Sequence, residues 1–173
     1  MASFVERAMG AARLDVRTFE EVETDKTALA QAMGVVVLSS VAAGIGAAGG
    51  EGVRGLIGGM IAALLGWVVW AWLTYFIGTR ILPTPQTHAD WGQLARTTGF
   101  ATAPGIFRAV GIVPGLTTVV FFVASVWMLA SFVVAVRQAL DYTSTWRAVG
   151  VCLIGWLVQA VLLTFLLFLM PRG

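Results

Sequence analysis

Four stretches of the chain, Ala28 to Ala48, Leu56 to Ile77, Leu116 to Val136 and Ala148 to Met170, contain no acidic or basic side chain and are almost wholly apolar. The hydrocarbon of a bilayer is about 30 Å thick, and an α-helix crosses it in about 20 apolar residues. Each stretch is long enough, and in lipid a spanning backbone must satisfy its own hydrogen bonds, so each predicts a membrane helix. Composition points the same way. Hydrophobic residues make up 58% of the chain and charged residues 12%, whereas a soluble domain is about a quarter charged. Too little polar surface remains to coat a water-soluble core. The predicted fold class is all-α, a polytopic membrane helical bundle.

Thr98 to Val113 is a harder segment: it is shorter, contains Pro104 and carries Arg108. Basic residues decide its reading, because cytoplasmic loops collect Lys and Arg. Five crossings place Arg7, Arg13, Arg17, Lys26, Arg80, Arg96, Arg137 and Arg147 on the inner side and leave Arg54 and Arg172 outside. With four crossings, Arg137 and Arg147 would face out. The expectation is therefore five transmembrane helices with a cytoplasmic N-terminus. The third, only about 24 Å long as an α-helix, is short and Pro-kinked or partly re-entrant.

Residues 1–26 are rich in charge, with Glu6, Arg7, Arg13, Asp15, Arg17, Glu20, Glu21, Glu23 and Asp25, so no cleavable signal opens the chain. They read as a cytoplasmic amphipathic segment ahead of a transmembrane domain at 27–173. Phe4, Val5, Ala8, Met9 and Ala12 share one helical face and Glu6, Arg7 and Arg13 the other, as in a helix lying on a membrane. Thr18 followed by Glu21 reads as a capping box for a second short helix.

Small residues repeat every fourth position in the first two spans, as Ser40, Gly44 and Ala48 and as Gly55, Gly59 and Ala63. Such ridges let helix backbones approach closely where lipid gives no hydrophobic push, so these spans are expected to pair as an antiparallel hairpin. Trp67, Trp70 and Trp127 fall near mid-helix, where packing inside the bundle suits them better than anchoring at an interface.

Polar residues at the membrane borders are the candidates for function. Arg108 has three possible fates: to snorkel outward, to pair with Glu51, or to point into a polar cavity. Nearby Pro104 frees a backbone carbonyl that needs a partner. On the inner side, Arg137 and Asp141 stand four apart as a helical pair, and Asp90 and Trp91 begin an amphipathic turn with Leu94 and Ala95 on one face. Arg96 and Arg147 belong to the same inner border.

No catalytic, metal or cofactor site is expected. His88 is the sole histidine and Cys152 the sole cysteine, so ligand clusters and disulfides have no material. Gly49, Gly50, Gly52 and Gly55 lack the lysine that a phosphate loop needs. A net charge of +2 from scattered arginines does not make a nucleic-acid surface.

Three stretches carry a family resemblance: Phe19-Glu20-Glu21-Val22-Glu23; Arg96-Thr97-Thr98-Gly99-Phe100-Ala101 running to Ala103-Pro104-Gly105; and Arg137-Gln138-Ala139-Leu140-Asp141 followed by Ser144, Thr145, Arg147 and Ala148. In order and placement they resemble a prokaryotic-type member of the Yip family, named for interaction with Ypt and Rab GTPases. The resemblance implies five membrane helices and a cytosolic N-terminus. The Asp-Leu-Tyr-Gly-Pro segment that eukaryotic members carry before the first span is missing, so a small GTPase partner does not carry over. The expected function is a non-enzymatic scaffold or accessory subunit of a bacterial plasma (inner) membrane that binds lipid, other membrane proteins or itself. The alternative is a small transporter or channel using the broken helix at Pro104 and Arg108.

Overall fold

The structure, a computed structural model, describes residues 2–47 and 52–169, so Ala48 and Glu51 of the sequence reading lie outside the described residues. Among the described residues it is helical throughout, with no strand. Four helices are long and apolar enough to cross a membrane. They are α3 (Ala28–Gly46), α4 (Gly52–Phe76, continued by a π-helical turn at Ile77–Ile81), α6 (Thr117–Ala139) and α7 (Thr145–Leu169).

Two short helices precede them, α1 (Phe4–Ala12) and α2 (Val16–Thr24). Ser3 and Glu6 form the capping box of α1, with the Glu6 carboxylate accepting from the Ser3 N–H at 2.7 Å. The cap of α2 is Asp15 and not the expected Thr18: the Asp15 carboxylate accepts from the Arg17 N–H and from the Thr18 hydroxyl, both at 3.2 Å. Glu21, the supposed partner of Thr18, is drawn away by Arg7.

Between α4 and α6 the chain makes two helical pieces where one kinked α-helix was expected. These are α5 (Trp91–Phe100) and a 3₁₀ segment (Ala103–Ile112). The hydroxyls of Thr98 and Thr102 bond back to the carbonyls of Leu94 and Gly99, at 2.5 and 2.7 Å. Pro104 lacks an N–H and sits in the first turn of the second piece, where none is needed. It begins a helical segment instead of bending one.

The path of this region is set by close approaches to α3. A Cβ added at Gly99 would lie 2.7 Å from that of Ala32, and one at Gly105 would lie 3.3 Å from the Ser39 Cβ. One at Gly111 would lie 3.1 Å from the Gly46 carbonyl oxygen. Residues 99–111 thus run parallel to α3 from near its start to its end. α4 runs antiparallel to α3, with Leu56 against Gly44 and Gly59 opposite Ser40.

Residues of α1 and α2 belong to the core. Ala11, Phe19 and Val22 are fully buried together with Ala28, Ala32, Val35, Phe100 and Ala135. A second cluster joins Leu73, Ile77, Leu94, Leu140 and Val151. The amphipathic reading of α1 therefore needs correction. Phe4, Ala8 and Ala12 do pack inward, but Val5 and Met9 are exposed and the supposedly outward Arg7 is 2% exposed.

Candidate functional site

A cavity of about 860 Å³ opens between α3, α4, α6 and α7 and meets the 3₁₀ segment at Arg108. Its wall is mostly apolar, with Val36, Trp67, Met128 and Phe132 among its residues, and its polar groups are few. The mouth is rimmed by Leu129, Leu153 and Trp156, all exposed side chains on helices apolar enough to meet lipid.

Arg108 is directed into this cavity by the pitch of its own segment. A 3₁₀ helix has three residues per turn, so Thr102, Gly105, Arg108 and Gly111 stand in one row. Gly105 of that row abuts Ser39 and Met128, and Gly111 abuts Gly46 and Phe121, which fixes the row toward α3 and α6. The Arg108 Nη2 donates to the Ser125 hydroxyl at 3.0 Å, and the guanidinium carbon lies 5.5 Å from the centre of the Phe121 ring. Ser125 in turn donates to the Phe121 carbonyl at 2.7 Å. Phe121 is level with the Arg108 backbone beside Gly46, and Ser125 is one helical turn, about 6 Å, nearer the middle of α6. The arginine side chain therefore reaches along α6 toward the middle of that helix. Its Nε has no partner among the described residues. Trp70 Nε1, on the same cavity, is the other buried side-chain donor left unpartnered there.

The inner-side candidates are tied into the fold. Arg96 is 6% exposed; its Nε donates to the carbonyls of Val22 at 3.0 Å and Glu23 at 3.2 Å, and its Nη2 also donates to Glu23. These carbonyls belong to the last turn of α2, where helix carbonyls lack intrahelical partners and a cation is favoured. Arg7 ties α1 to its neighbours through side chains instead. Its Nη2 donates to Glu21 at 2.7 Å and Asp25 at 2.8 Å, while Nη1 reaches Gln31 at 3.0 Å. The Thr27 hydroxyl, then Arg7, hold the Asp25 carboxyl down to about 2. Burial, then the nearby Asp141 charge, push the Glu23 carboxyl up to about 7 against the opposing pull of Arg96.

Arg137 and Asp141 do not form the expected helical pair. α6 ends at Ala139, and Asp141 takes a left-handed conformation at φ 52, which carries it off the helix face. Arg137 instead donates to the Tyr142 carbonyl at 3.2 Å. The Tyr142 hydroxyl lies 2.8 Å from the Leu82 carbonyl and 3.2 Å from that of Gly78, joining the α6–α7 turn to the end of α4. Asp90 caps α5 in a reciprocal box with Gln93, and Leu94 and Ala95, the apolar face of the amphipathic turn it begins, are fully buried. Asp90, Trp91 and Arg147 remain at the surface, with Arg147 3.4 Å from the Pro83 carbonyl.

Trp67 and Trp127 face inward. Their Nε1 atoms donate to the carbonyls of Ala95 at 3.0 Å and Ala12 at 2.6 Å, and the Ser131 hydroxyl donates to Ala11 at 3.3 Å. The last two bonds satisfy the C-terminal end of α1 from the middle of α6. Among the described residues no group of three His, Cys, Asp or Glu side chains converges to hold a metal ion. Sequence reasoning did not single out Ser125, and it read Trp70 only as a tryptophan packed inside the bundle. The three-residue spacing of Thr102, Gly105, Arg108 and Gly111 was the available signal.

Four apolar spans, an N-terminal hairpin built into their core, and an arginine turned toward the cavity between them define a multi-pass integral membrane protein. The chain belongs to the Yip family, for the Yip1 domain model matches residues 15–167. No curated protein and no solved structure matches it.

Proposed function

We propose that this chain is a non-enzymatic scaffold or accessory subunit that binds other membrane proteins, or further copies of itself, in the plasma membrane of a bacterium. One observation carries the reading. α1 and α2 are clamped to the bundle by buried Arg7 and Arg96, so the N-terminal side is one fixed surface and not a tethered tail. A preformed surface loses little entropy when a partner docks. That surface presents Glu20, Asp90, Trp91, Trp146 and Arg147, a mixture of charge and exposed aromatic rings suited to protein contact.

The topology belongs to the same reading: five crossings, with residues 1–26 on the cytoplasmic side of a transmembrane domain at 27–173. Its support is the parallel run of residues 99–111 beside α3, from Ala32 to Gly46, a rise of about 21 Å along α3. A 3₁₀ helix rises about 2.0 Å per residue, so the segment Ala103–Ile112 covers about 20 Å by itself. The cavity at Arg108 favours a second reading, a small transporter.

The test is mass after extraction into lipid nanodiscs, compared with the 18.4 kDa chain. Additional polypeptides in fixed ratio are expected. A lone protomer would overturn the scaffold reading, and a pure homo-oligomer that conducts solute in liposomes would replace it with transport.

A further inference from the structure

We infer that the cavity between α3, α4, α6 and α7 is a binding site for one anionic phospholipid of the surrounding bilayer, its acyl chain inside and its phosphate on Arg108. The site is independent of whether the protein is a scaffold. Three observations converge on it. The wall is apolar and the volume of about 860 Å³ lies within the range of small-molecule sites. Its rim of Leu129, Leu153 and Trp156 opens toward hydrocarbon, so the occupant enters sideways from the membrane.

The third observation is charge. Among the described residues both ion pairs use Arg7, and no carboxylate pairs with Arg108. An arginine held by a serine and directed along α6 into an apolar cavity, its Nε without a partner among the described residues, suits an anion with several acceptor oxygens. A phosphate diester supplies two unesterified oxygens to the guanidinium fork. A zwitterionic head brings the same phosphate together with a cation beside it, and so binds less well.

The experiment is native mass spectrometry of the full chain in mild detergent, titrated with phosphatidylglycerol or with phosphatidylcholine of the same acyl chains. One phosphatidylglycerol per protomer is expected, held about tenfold or more tightly than phosphatidylcholine. Arg108→Gln should weaken phosphatidylglycerol about tenfold or more and phosphatidylcholine by less, narrowing the difference between them, as the loss of a charge-assisted hydrogen bond predicts. Ala62→Phe, which fills the cavity wall without touching the arginine, should weaken both lipids. Glu51→Gln should change neither, which separates a lipid phosphate from an internal carboxylate as the partner of Arg108.

Equal retention of the two lipids by the wild type would overturn the proposal. So would unaltered phosphatidylglycerol binding in folded Arg108→Gln, or in folded Ala62→Phe. Folding of each variant is checked by the melting of Cys152 protection, since that sole cysteine is 2% exposed.

Discussion

Gly46→Ala is a sharp test of the close approach between α3 and the 3₁₀ segment. A methyl group there would fall on the Arg108 carbonyl oxygen, with the carbonyl carbon at 2.9 Å and the Phe121 ring at 3.0 Å. Carbon atoms pack at about 3.5–4.0 Å, so the 3₁₀ backbone would have to retreat by about 1 Å. Overpacking of this kind costs about 1–3 kcal/mol, and a backbone obstacle places it toward the upper end. Two controls scale the result. At Gly44 the obstacle is the Leu56 Cδ2 at 2.5 Å, the movable tip of a side chain, so Gly44→Ala should cost less than about 1 kcal/mol. At Gly58 nothing lies within 4 Å, and Gly58→Ala should be neutral or stabilising by up to about 1 kcal/mol through reduced backbone freedom. The assay is thermal exposure of Cys152 to a thiol-reactive dye. A loss of about 2–3 kcal/mol lowers the midpoint by roughly 5–10 °C for a chain of this size. If Gly46→Ala melts with the wild type, or Gly44→Ala melts lower than Gly46→Ala, the parallel packing of residues 99–111 on α3 is refuted.

Further expectations concern the inner side. Glu23 is held as the acid up to about pH 7, above its ordinary value near 4.5, so the folded chain retains a proton that the unfolded chain releases. Stability should fall as pH rises from about 4.5 to about 7 and be flat above, and Glu23→Gln should remove that slope and gain about 1 kcal/mol at pH 8 after solvent screening is allowed for. Thermal midpoints measured across this pH range check it; an unchanged slope in the variant would count against the assignment. Arg96→Gln should strand the carbonyls that end α2 at a cost of about 1.5–3 kcal/mol, seen as a loss of amide-exchange protection over Val16–Thr24 that leaves α6 protected.

The spans were legible in the sequence because charge is excluded from them, a constraint that needs no knowledge of neighbours. Arg7 and Asp141 were misread because their fates are not local. Arg7 stands on the polar side of a helical wheel, yet its partners Glu21 and Asp25 lie 14 and 18 residues away and reach it only after α2 folds back. Asp141 matches the spacing of a helical pair, but one left-handed residue beyond the helix end cancels it. Thr98 to Val113 misled through its assumed pitch: counted at 3.6 residues per turn, Gly105, Arg108 and Gly111 drift apart, and only at 3.0 do they line one face. The cavity itself was illegible, since four helices make it and no single stretch records its shape. The small-residue ridges were readable in part, with Gly59 opposite Ser40 and Gly44 against a leucine instead of another small residue.

The bonds from Trp127 and Ser131 to the end of α1 also bear on how the protein is made. The Trp127 bond spans 115 residues of sequence, so α1 docks on a helix synthesised long after it. At about 5–20 residues per second, α1 waits roughly 6–23 seconds with the carbonyls of Ala11 and Ala12 unpartnered by α6. During that interval its apolar face already rests on α2 and α3, and only the carbonyls at its end await α6. A membrane insertase that released α6 late would leave the end of α1 without these bonds, and open to proteases, for correspondingly longer.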